Sequence, residues 1–130
     1  MSALKDLKKI TVADRFAPLR GRLQTLLAEL KEDDWGRPTA APGWSVKDVA
    51  THLLGGDIGI LSRERDGRSN AGSIAYPELV ELVNRLNAEW VIAARRMSPR
   101  LLCDLLAHTG QQVEAYFQSL DIDVTGGPVS

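Results

Sequence analysis

The stretch Pro42-Gly-Trp-Ser-Val-Lys-Asp-Val-Ala-Thr-His-Leu-Leu-Gly-Gly-Asp57 decides the fold. Ser45 followed three residues later by Asp48 is a capping box: each side chain satisfies a backbone N–H that a helix start leaves open. Trp44 before the cap and Val49 inside the first turns have the spacing of a hydrophobic staple. A helix therefore begins at Ser45 and runs through Leu61 to about Arg65, with Val46, Val49, Ala50, Leu53, Ile60 and Leu61 on its main apolar face. Arg63 and Arg65 suit the negative end of its dipole, and Gly67 can terminate it.

Working outward, Glu32 to Trp44 reads as a loop, because Gly36, Pro38, Pro42 and Gly43 break regular structure. Before it, a first helix runs from about Thr11 to Lys31. Thr11 and Asp14 resemble a cap, and Phe16, Leu19, Leu23, Leu26, Leu27 and Leu30 recur at helical steps. Pro18 implies either a kinked first turn or a regular start near Ala17. After the second helix, Asp66 to Ser73 is a loop by composition. A third helix starts near Pro77 and carries Leu79, Leu82, Val83, Leu86, Trp90, Ala94 and Met97 on one face. Ser98-Pro99 restarts a fourth, with Leu101, Leu102, Leu105, Leu106, Val113, Tyr116, Phe117 and Leu120; Gly110 weakens it without ending it. Residues 121–130 form an irregular tail. Four amphipathic helices with short connections and no strand predict a single all-α domain over residues 1–130, an antiparallel four-helix bundle.

Composition narrows the function. A chain of 130 residues with 44% hydrophobic and 25% charged residues matches an ordinary globular domain. The formal net charge of -1 gives no electrostatic case for nucleic acid or a membrane surface. Arg63, Arg65 and Arg68 are interleaved with Glu64 and Asp66 instead of forming a basic stripe. No apolar run approaches the roughly 20 residues that span a bilayer, and the start has no signal-peptide pattern. A lone cysteine, Cys103, rules out an internal disulfide and fits a reducing cytoplasm. Asp104 beside it would raise its pKa, which argues for packing over nucleophilic chemistry.

Histidine chemistry must use His52 or His108. His52 lies on one flank of the second helix, with Gly56 and Gly59 as its neighbours one and two turns on, leaving space for a ligand or a close helix. Asp57 falls within the apolar face, where a carboxylate is costly unless paired or ligating. Both can be hydrogen-bonded core residues, or His52 can give a ring nitrogen to a metal. Five residues apart, the two side chains diverge by about 140° and cannot easily chelate one ion together. Asp104 and His108 have a spacing that can hold zinc, yet they lie toward the polar flank with Gln112, where a solvated or locally bonded histidine is expected. Trp35, Trp44 and Trp90 are core anchors by default, or pocket lining together with Asp57 in a metal-free ligand-binding bundle.

The run from Trp35 to Asp57, with its Trp, Pro-Thr, Pro-Gly-Trp-Ser-Val, Asp-Val and His-Leu elements, resembles the N-terminal domain of mycothiol-dependent maleylpyruvate isomerases, a branch of the DinB-like superfamily. Asn84-Arg-Leu-Asn-Ala-Glu-Trp90 and the Ser98-Pro99 restart also look like that family, so the likeness spans essentially the whole chain. It implies a DinB-like four-helix bundle with a divalent metal, zinc or nickel, whose first ligand matches His52. It also implies mycothiol as a low-molecular-weight thiol cofactor in transfer or isomerisation. The family's further ligands, His or Glu then His four residues apart, have no counterpart here, so the expectation is a bundle lacking its last ligand-bearing helix and a site not catalytically complete. An apolar face left open by such a gap predicts a homodimer. The alternative is a non-catalytic helical module that dimerises or binds a partner.

Overall fold

A computed structural model describes residues 12–68 and 76–120. The chain forms five helices with no strand among the described residues: α1 (Val12–Glu29), α2 (Glu32–Trp35), α3 (Val46–Gly59), α4 (Tyr76–Ala94) and α5 (Pro99–Ser119). Helix α3 continues without a break into a π-helical segment, Ile60–Arg65. The cap expected at Thr11 and the tail over 121–130 lie outside the described residues.

Helix α5 packs against α1 on one side and α3 on the other; α4 leans on α3, and α2 closes over its start. The shared core comes from four of these elements. Leu27, Trp35, Ala50, Leu54, Leu102 and Leu106 form one buried cluster, with Leu102, Leu106, Val91 and Val113 wholly without solvent contact. Phe16 meets Phe117 edge-on at 5.3 Å between ring centres and fixes α1 to the far end of α5.

Several sequence expectations shift at this level. The segment read as a loop from Glu32 begins instead with a helical turn, α2. Glu32, Asp33 and Asp34 suit the positive end of a helix, the Lys31 backbone N–H donates to Asp34 Oδ2 at 2.9 Å, and Trp35 is buried. Pro18 sits inside α1 and does not begin it; its exposed ring forfeits one backbone bond on the outer surface without disturbing the inner face. Leu19 and Leu26, expected inside, are 63% and 57% exposed. With α5 as its neighbour, α1 buries one stripe, Leu23, Leu27 and Leu30. Along α3 and the π-helical segment the buried line is Ala50, Leu54, Asp57 and Leu61, so Leu54 takes the inward place expected for Leu53. On α4, Val91 is the fully buried residue and Val83 stays exposed; on α5, Leu101 is exposed.

The end of the second expected helix is confirmed, with a different winding. The Asp66 N–H donates to Leu61 O at 3.0 Å, a five-residue step, and Gly67 then turns the chain with φ of +71°, a region that favours glycine. Gly110 stays within α5.

Candidate functional site

The start of α3 is fastened twice. Ser45 Oγ accepts from the Asp48 N–H at 3.2 Å, and Asp48 Oδ2 accepts from the Ser45 N–H at 3.1 Å, completing the capping box. The same carboxylate then receives Arg95 from the end of α4, Nε to Oδ1 at 3.2 Å and Nη2 to Oδ2 at 3.1 Å. Lys47 Nζ donates to the Arg95 carbonyl at 2.7 Å. Burial pushes the Asp48 carboxyl up, but the Arg95 guanidinium and the Ser45 N–H outweigh it and hold the group below the usual carboxylate range. A depressed folded-state pKa means stability that is full above the unfolded value and lost as pH falls through the folded one. Urea midpoints are therefore expected to fall on acidification below about pH 4, and Asp48→Ala is expected to lose about 1–2 kcal/mol at pH 7 while showing a shallower acid decline.

The loop before the cap is knitted to itself. Val46 N–H donates to Arg37 O at 2.9 Å and Thr39 N–H to Trp44 O at 3.2 Å. Thr39 Oγ1 also donates to Trp44 O at 2.9 Å. Gly43, with φ of +78°, makes the turn that these bonds close. The outcome is a fixed Trp44, whose indole lies 5.1 Å from the His52 ring at a tilt of 43°. His52 is half-buried, and among the described residues no hydrogen bond holds its ring. Beside it Gly56 faces open space, whereas the place of a Gly59 side chain is taken by the Arg63 guanidinium. The imidazole is thus braced on one side and accessible on another. Among the described residues no group of three or more His, Cys, Asp or Glu side chains could hold a metal ion. The described residues therefore do not by themselves assemble three such ligands around His52.

Asp57 points the other way, as the spacing predicts. It is 3% exposed, ion-paired with Arg20 of α1, and accepts from Thr109 Oγ1 of α5 at 2.7 Å. Arg20 passes over Gly110, where a Cβ would meet its Cγ at 3.2 Å, and its guanidinium carbon lies 5.0 Å from the Phe16 ring centre. Asp57 is therefore consumed in joining three helices, which removes it from the pocket lining expected for a metal-free binding bundle. Arg20, Thr109 and Arg95 were not singled out in the sequence. Arg20 had a signal: it falls in register with Phe16, Leu23 and Leu27, a cation on an apolar stripe that needs a buried partner.

The second histidine behaves as a local group. His108 and Asp104 are exposed; Arg65 Nη1 donates to Gln112 Oε1 at 2.9 Å, which leaves Gln112 Nε2 to donate to His108 Nε2 at 2.7 Å. Cys103 packs partly against the core, and burial, aided by Asp104, pushes its thiol up. Trp35 is a core residue and Trp44 braces His52. Trp90 packs against the backbone at Gly55 and donates from Nε1 to Thr51 O at 2.8 Å. Gly55 is thus where α4 comes close to α3, whereas nothing crowds Gly56.

The family model of the Mycothiol maleylpyruvate isomerase N-terminal domain matches residues 16–126. No curated protein and no solved structure matches the chain.

Proposed function

We propose, since the chain belongs to the mycothiol maleylpyruvate isomerase N-terminal domain family, that it is a metal-binding domain related to mycothiol-dependent isomerases and thiol transferases, with His52 as a ligand. The observation that carries this reading is the His52 ring itself, braced by the tilted Trp44 indole and open at Gly56. A buried structural histidine would be locked by hydrogen bonds instead.

A bound zinc or nickel ion would supply an electrophilic centre that lowers the pKa of a thiol such as mycothiol. This chain's own residues prepare the position. Trp44 fixes the ring plane of His52, the Ser45–Asp48–Arg95 cluster fixes the helix that carries it, and Gly56 keeps the adjoining space free. Three protein ligands are the usual minimum for a catalytic site. Further ligands therefore come from outside the described residues or from a second copy, and the described residues by themselves are not a catalytically complete site. A lone thiol at Cys103 accords with a reducing, cytoplasmic setting.

Addition of zinc or nickel is expected to raise the melting temperature of the chain and to leave that of His52→Ala unchanged. A rise of equal size in both would remove His52 from the site.

The second reading, a non-catalytic module that forms a homodimer, is favoured by Leu19, Leu26 and Ile92, which are 63%, 57% and 62% exposed. Light scattering decides it: a clean monomer at high concentration would remove its support.

A further inference from the structure

The π-helical segment has a consequence separate from His52. Between it and α4 lies a cleft of about 550 Å³, within the size range of small-molecule sites. His52 does not line it. Its apolar floor is made by Ile58, Val83, Leu86 and the Trp90 indole, and its rim carries Asn87, Arg63 and Arg68. None of the described residues that line it is acidic.

Three features prepare this cleft. Trp90 is held by its bond to Thr51 O and by the absence of a side chain at Gly55, where a Cβ would lie 2.7 Å from the indole. Arg63 folds back over Gly59, where a Cβ would lie 2.8 Å from its Nη1. The glycine lets the guanidinium lie on the helix surface at the cleft edge. Arg65, lying between the two rim arginines in sequence, is turned elsewhere: it pairs with Asp66 through Nε at 2.8 Å and Nη2 at 3.1 Å, and bonds Gln112. Asp66, the acid two positions before Arg68, is thus occupied, and no ion pair among the described residues involves Arg63 or Arg68. Arg63, Arg65 and Arg68 look alike and evenly balanced by acids in the sequence; in the structure they divide into one structural ion pair and two cations facing an apolar cleft.

We propose that this cleft binds a small organic anion, a carboxylate or sulfonate on an apolar body, with the body on Trp90 and the charge between Arg63 and Arg68. Arginine is suited to the role because its planar fork meets a carboxylate through paired N–H donors. The Val83 and Ile58 side chains, 45% and 43% exposed, become covered when the body is seated.

The test uses 2-naphthoate as the probe and uncharged 2-naphthamide as its control, titrated into the full chain by calorimetry. The expected result is that naphthoate binds at least about tenfold more tightly than naphthamide, that Arg63→Gln/Arg68→Gln abolishes this preference, and that Arg100→Gln at the exposed start of α5 preserves it. Both rim arginines are exposed, so the double variant is expected to keep its helical circular dichroism; Val83→Glu, which places a carboxylate on the floor, provides a second variant expected to weaken naphthoate by a similar factor. Absence of naphthoate binding, equal affinity for the two probes, or a preference that survives in the arginine double variant would overturn the assignment.

Discussion

Asp57→Ala is expected to destabilise the protein by about 3–5 kcal/mol, because it strands the Arg20 guanidinium among packed helices. Asp57 is 3% and the Arg20 side chain 15% exposed, so water can restore little of the lost interaction. Thr109 Oγ1 would lose its acceptor as well. For a chain of this length the melting temperature should fall by more than about 10 °C. Asp57→Asn keeps an acceptor for Thr109 and should lie between the two. Removing both charges together, Arg20→Met with Asp57→Leu, should recover most of the loss, because a buried pair replaced by apolar groups of similar volume is often neutral. Urea unfolding followed by circular dichroism checks the series. An Asp57→Ala variant within about 1 kcal/mol of the parent would mean that Arg20 reaches solvent and that the pair does not tie α1, α3 and α5 together.

The second large effect is expected at Leu106. It is fully buried in the shared cluster, so Leu106→Ala should cost about 2–5 kcal/mol through lost burial and the cavity left behind. Leu101 on the same helix is 46% exposed, and Leu101→Ala should cost less than about 1 kcal/mol. The contrast tests which face of α5 is inside. Equal losses at the two positions would show that α5 is rotated from the orientation described.

These two positions also show what the sequence could and could not convey. Signals confined to a few residues were readable: the Ser45–Asp48 box, the stop at Gly67 and the Ser98-Pro99 restart all appear in the structure, because caps and turns are fixed by neighbours in the chain. Orientation was less readable. Leu53 and Leu54 are equally apolar, and only the placement of α5 makes Leu54 the inward one. The same holds for Leu19 and Leu26, which periodicity places inside and which no described helix covers. Asp57 was recognisable as a carboxylate in need of a partner. Its partner, 37 positions away, required the packing of α1 against α5. Helix α2 was hidden by the breakers that follow it, and the π winding after Gly59 leaves no trace in apolar periodicity. At the candidate site, the position of His52 came from the likeness of the Trp35–Asp57 stretch to a family. Its contact with Trp44 did not, because Trp44 precedes the cap and lies outside the helical repeat.

The proposal that His52 ligates a metal is decided by metal content. The chain and its His52→Ala variant, purified identically and equilibrated with zinc or nickel before removal of free ion, would be measured by elemental mass spectrometry. Bound metal is expected in the parent chain, at one ion per chain or one per pair of chains, with loss of that metal in a variant that remains helical. Metal retained by the variant, or none bound by a folded parent chain, would contradict it.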